Sequence, residues 1–144
     1  MAAHATYDDV NLMLRLYDMR REERMRAARS WFVASFKPKT MAEFNHLCPP
    51  GSEENAMARQ VTSYWDMVSS FIHAGVLNQD LFFQSNRELL VAWVRLQPIV
   101  EEVRAAFKDP SYMKNLEGVG KAYIEYLNKL DPEIFPAFKA RVGG

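Results

Sequence analysis

The sequence predicts an all-α fold: a single-domain helical bundle of about five main helices plus shorter ones, with a long N-terminal helix and a buried, proline-kinked central helix. Three observations predict it. Apolar residues recur at three- and four-residue steps, most regularly at Met57, Val61, Tyr64, Trp65, Val68, Phe71 and Ile72, which puts them on one helical face. No stretch sustains two-residue alternation, and no Asn-Gly or Asp-Gly hairpin turn occurs. Helix start and stop signals punctuate the chain at intervals that helices fill.

The first helix starts at Thr6, which has capping-box spacing to Asp9. No Pro or Gly follows until Pro38, so one helix of about 30 residues, roughly 45 Å long, is expected through Phe36. Its texture changes along its length. Val10, Leu12, Met13, Leu14, Leu16, Tyr17 and Met19 are densely apolar, Arg20 to Arg24 are charged on every face, and Met25, Ala28, Trp31 and Phe32 resume an apolar stripe. Burying the charged turn unpaired is costly, so two separate apolar contacts with a solvated turn between them are expected. The C-terminal contact belongs to the core. The N-terminal one has three candidate destinations: the same chain, a second copy, or a lipid surface.

Lys37-Pro38-Lys39 breaks this helix. Thr40 to Glu43 is a capping box for a short helix ending near Leu47, closed by Pro49-Pro50-Gly51. Ser52 caps the next helix, with Glu53 and Glu54 favourable against its dipole, and Gly75 ends it. Asn78 caps one or two turns carrying Leu81, Phe82 and Phe83. Ser85 to Glu88 has capping-box spacing and opens the central helix, Asn86 to Phe107. Its first half is apolar on nearly every side, at Leu89, Leu90, Val91, Trp93, Val94 and Leu96, so it needs neighbours all round. Pro98 predicts a kink within it. Asp109-Pro110 starts a helix carrying Tyr112, Leu116, Val119, Tyr123, Tyr126 or Leu127, and Leu130, whose Gly118 and Gly120 suit close approach of another helix. Asp131-Pro132 opens a last short helix with Ile134, Phe135 and Phe138. The 144 residues are thus organised as a helix over 1–36 and a helical core over 40–141.

Composition narrows function by exclusion. Lys plus Arg and Asp plus Glu number 18 each, so net charge points to no partner. Residues 1–42 carry net +3, residues 43–102 net −5 and residues 103–144 net +2. That asymmetry is able to steer two copies together, although an ordinary solvated distribution has the same form. Arg15, Arg20, Arg21, Arg24, Arg26 and Arg29 cluster, but Asp18, Glu22 and Glu23 interrupt them, and Glu22 has the spacing to pair with Arg26. No nucleic-acid-binding motif accompanies the cluster, which argues against nucleic acid. The lone Cys48 excludes an internal disulfide and fits a reducing compartment, so a cytoplasmic location is expected. No secretory signal or membrane-spanning run appears.

Glu43, His46 and Cys48 are the only grouping resembling metal ligands, and one H-x-C is better read as a loop histidine and a small buried thiol. Neither metal nor cofactor is expected. His73, beside Gly75, suits a helix C-terminus better than catalysis. No nucleophile elbow, zincin, P-loop or dinucleotide-binding motif occurs.

Trp65, Gly75-Val76-Leu77, Asp80-Leu81-Phe82, Trp93, Leu96, Pro98-Ile99 and Arg104 together resemble a mostly bacterial family of helical proteins catalogued as a domain of unknown function. The resemblance spans Trp65 to Arg104 and implies a shared helical hairpin and no chemistry. Family members often carry a membrane-spanning segment before the helical domain; this chain departs from that pattern.

Three functional readings follow. The first is a non-enzymatic interaction module, a homodimer or a docking site for a helical partner, with Val10, Met13, Leu14 and Tyr17 at the interface. The second is a small-molecule binder or enzyme with an interhelical pocket lined by His73, Trp93, Arg95, Arg104 and Tyr126. The third is peripheral membrane attachment through the first helix.

Overall fold

The computed structural model describes residues 4–143. It is all-helical, and among the described residues nine helices replace the expected five or so. They are α1 (Tyr7–Arg20), α2 (Glu23–Ser35), α3 (Met41–Leu47), α4 (Glu53–His73), α5 (Gln79–Phe83), α6 (Glu88–Leu96), α7 (Val100–Phe107), α8 (Lys114–Leu130) and α9 (Ile134–Val142).

Most helix boundaries follow from local chemistry. Thr6 and Asp9 form a reciprocal capping box. Thr40, Ser52 and Asn78 each accept a hydrogen bond from the backbone of their own first turn. Gly75, at φ 78°, ends α4 in a Schellman motif, with the Gly75 N–H donating to Ile72 and the Val76 N–H to Phe71.

Several boundaries differ from the sequence expectation. The long N-terminal helix is two helices, because Glu22 leaves the helix at φ −58°, ψ 145° and turns its carboxylate onto the N–H groups of Arg24 and Met25. Glu22 therefore caps α2 rather than pairing with Arg26. The central helix is divided in two at Pro98. Pro98 has no N–H for the carbonyl of Val94, and Ile99 turns back to donate to Leu96 at 3.0 Å, which ends α6 before α7 begins. The helix expected from Pro110 begins at Lys114 instead. Met113 sits left-handed at φ 56°, the Tyr112 carbonyl is held by Arg104, and Asp66 on α4 accepts the Leu116 N–H at 2.9 Å. Ser85 caps nothing in α6, and Glu88 turns to Arg29.

α4, rather than the 86–107 segment, carries the most packing, with α2 on one flank and α8 on the other. α6 packs on α8, α9 and α4 and is buried at Leu89, Leu90, Ala92, Trp93, Val94, Arg95 and Leu96. One apolar cluster joins Phe32 and Phe36 of the N-terminal region to Trp65, Phe82, Leu90, Trp93, Leu116, Tyr123 and Phe138. Gly120 admits Trp93 so closely that a Cβ there would lie 2.7 Å from the indole. Gly118 faces open space.

Candidate interaction surface on the first helix

α1 uses one face to dock on its own chain. Leu16 is buried, and Leu12 and Met13 are half-buried against the core. The Tyr64 hydroxyl donates to the Leu16 carbonyl at 2.6 Å. Asp9 closes its own cap at Thr6 and also accepts the Asn78 N–H at 2.7 Å. These backbone donors, Thr6 before Asn78, hold its carboxyl below the usual aspartate range. Arg20 lies over the rings of Tyr17 and Trp65, at 5.2 and 5.3 Å, and Arg21 lies 5.4 Å from Tyr17.

The flank beside that docked face is exposed and apolar. Tyr7 is 78% exposed, Val10 41%, Leu14 58% and Tyr17 46%. Single exposed apolar side chains are ordinary on a protein surface. Four at steps of three, four and three residues have the a/d spacing of a coiled-coil stripe. Of the four expected interface residues, Val10, Leu14 and Tyr17 lie on this seam, and Met13 borders it from the core side. Tyr7 extends the seam by a turn. Its period was readable in the sequence, but it sits next to the cap, where side chains have no set role.

The elbow between α1 and α2 is held by polar side chains. Arg29 donates through Nη1 to the Arg20 carbonyl at 2.8 Å, while Nε and Nη2 grip the Glu88 carboxylate at 2.7 Å each. Two open grooves flank the elbow. One, of about 590 Å3, is bordered by Glu23, Arg26, Arg29, Val33 and Glu88. The other, of about 610 Å3, is bordered by Met19, Glu22, Met25, Tyr64 and Met67. Nothing local in the sequence announces the Arg29–Glu88 pair, whose members are 59 residues apart.

The five residues of the pocket reading meet different neighbours. Arg95 is buried without a carboxylate and donates to the carbonyls of Phe32, Phe36 and Val142, where it ties helix ends together. Desolvation lowers its pKa. Trp93 packs against Gly120. Arg104 is buried between Glu101 at 2.6 Å and Glu117 at 3.0 Å. Tyr126 lies 5.4 Å from the Phe83 ring. His73 is exposed at the end of α4. Arg104 and Tyr126 border separate cavities of about 400 Å3 each.

His46 is exposed, whereas Cys48 is fully buried and its thiol is pushed up to about 11, chiefly by burial. Among the described residues no three His, Cys, Asp or Glu side chains gather in a group able to hold a metal ion. Among them, too, no helix is long and apolar enough to cross a membrane.

One family model, described as a domain of unknown function (DUF4760), matches residues 5–123, from the start of the α1 cap into α8. No curated protein and no solved structure matches the chain.

Proposed function

This chain belongs to the DUF4760 family of domains of unknown function, and we propose that it works as a non-enzymatic helical interaction module that pairs with a second copy through α1. The observation that carries the reading is the exposed stripe of Tyr7, Val10, Leu14 and Tyr17 on a helix whose adjacent face is docked. The seam gives a partner helix knobs at a/d positions, and the docked face keeps α1 from turning it inward. Half-buried Met13 makes the apolar surface continuous between core and seam.

Light scattering across a concentration series tests this. The wild-type chain is expected to dimerise. Leu14→Glu is expected to weaken dimerisation about tenfold or more, the factor that loss of one buried leucine brings. Far-ultraviolet circular dichroism is expected to stay unchanged, since Leu14 is 58% exposed in the single chain. A wild-type protein that stays monomeric throughout overturns the reading.

A further inference from the structure

The elbow between α1 and α2 turns on one backbone torsion. Arg21 is still helical, at φ −91°, ψ −7°, and Glu22 has a helical φ of −58° with ψ at 145°. No glycine or proline lies nearby to require the bend. The polar contacts that hold it replace contacts an unbroken helix makes for itself. Glu22 accepts from the Arg24 and Met25 N–H groups at 3.0 Å each, and Arg29 donates to the Arg20 carbonyl. In a straight helix the Arg24 N–H would reach the Arg20 carbonyl and the Met25 N–H the Arg21 carbonyl. The backbone is therefore nearly as well satisfied straight as bent.

The docking of α1 points the same way. It rests on a short set of contacts: Leu16, Asp9 to Asn78, Tyr64 to the Leu16 carbonyl, and Arg20 over Trp65. Their partners lie on α4 and the turn after it, and α1 also packs on α2; all of these lie beyond the elbow, so a second copy presents the same site. The grooves on either side leave the elbow room to move.

We infer that α1 is an exchangeable arm: when ψ of Glu22 turns helical, Tyr7–Ser35 becomes one helix about 43 Å long, and α1 docks on Tyr64, Trp65 and Asn78 of a second copy whose own α1 docks in return. Every contact α1 makes at home is remade in the exchanged dimer, so the balance between the two forms lies in the elbow and in protein concentration. This inference does not rest on the seam, which lies beside the exchanged contacts and is not among them.

Two substitutions move the elbow in opposite directions. Glu23→Pro puts proline at the first position of α2, where its missing N–H has no intrahelical role, and Glu22 before it already has the extended ψ that proline demands. The bent form accepts this change and the straight helix does not. Glu22→Ala removes the cap and adds a strong helix former.

The experiment incubates each full-length protein at high concentration, dilutes it, and follows the dimer that survives dilution by size exclusion with light scattering. Wild type is expected to yield a persistent dimer, Glu22→Ala to enrich it about fivefold per elbow, the factor one lost helix cap is worth, and Glu23→Pro to abolish it with an unreduced melting temperature. Spin labels at Asp8→Cys and Ala34→Cys, with Cys48 buried and unreactive, report the arm directly when diluted into unlabelled Glu22→Ala protein. Their intramolecular distance is expected to lengthen to about 39 Å in the persistent dimer. An unchanged label distance overturns the inference, as does a persistent dimer in correctly folded Glu23→Pro equal to wild type. Absence of any persistent dimer in both wild type and Glu22→Ala overturns it too. If Glu23→Pro fails to fold, the label distance decides. Leu14→Glu separates the two readings, because it removes a seam dimer that equilibrates rapidly and leaves the exchanged dimer intact.

Discussion

The pair Gly118 and Gly120 shows how far a single residue's role is set by what faces it. Both sit in the middle of α8, and both lower its intrinsic stability. Gly120 is needed, because a Cβ there would lie 2.7 Å from the Trp93 indole, whereas Gly118 meets nothing within 4 Å. Gly120→Ala is expected to destabilise the fold by about 1–3 kcal/mol through overpacking. Gly118→Ala is expected to stabilise it by up to about 1 kcal/mol. Chemical denaturation of the two variants checks both signs. From sequence the two glycines were indistinguishable, since helical periodicity does not report which face meets Trp93. Arg95 and Arg104 were pocket candidates, Arg104 because it lies next to the apolar seam and has the spacing either to meet a ligand anion or to pair with Glu101. Arg95 satisfies three backbone carbonyls 47 to 63 residues away, which no local pattern announces, whereas Arg104 pairs with Glu101 three residues before it and adds Glu117 and the Tyr112 carbonyl.

At the scale of elements, the starts that proved legible are those whose chemistry is contained in four residues: Thr6, Thr40, Ser52 and Asn78, and the stop at Gly75. The boundaries that were not legible depend on partners elsewhere. α8 begins at Lys114 because Asp66 on α4 caps it, and α6 has no capping box because Glu88 belongs to Arg29. Asp66→Ala is expected to cost about 1 kcal/mol of stability, measured by urea unfolding, although Asp66 lies on a different helix. Glu117 joins α7 to α8 in the same long-range manner. Lys121 first and then Arg104 hold its carboxyl down, from 4.5 to about 2. A depressed carboxylate pKa stabilises the fold fully above the unfolded value and loses that contribution as pH falls through the folded value. Stability should therefore decline between pH 4.5 and about 2 as Glu117 takes up its proton. Glu117→Gln is expected to flatten that limb of a melting-temperature profile; an unaltered limb would count against the assignment.

For the molecule as a whole, the N-terminal region divides into a structural half and an available half. Met25, Ala28, Phe32 and Phe36 are nearly all buried, so α2 is part of the core, while α1 is docked on one side and exposed on the other. Removing residues through Pro38 is therefore expected to abolish the cooperative thermal transition, because it strips these four core side chains together with Leu16 and uncovers α4. Removing residues only through Arg20 is expected to leave a cooperative, less stable fold that no longer self-associates. Calorimetry and light scattering on the two truncations test this division together.

What the sequence determined by itself was the all-helical class, most of the helix starts and the apolar stripes. These depend on residues three or four apart, where backbone hydrogen bonding and side-chain spacing act locally. Only the tertiary structure decided that the long first helix bends at Glu22, that Pro98 divides the central helix, and that α1 docks on its own chain yet keeps Tyr7, Val10, Leu14 and Tyr17 in solvent. Glu22 is a good helix former with no breaker beside it. In the single chain the bend is accompanied by the Arg29–Glu88 clasp on the Arg20 carbonyl and by Leu16 under Tyr64 of the same chain, contacts that span up to 59 residues. A pattern that repeats every three or four residues carries no record of partners that far away.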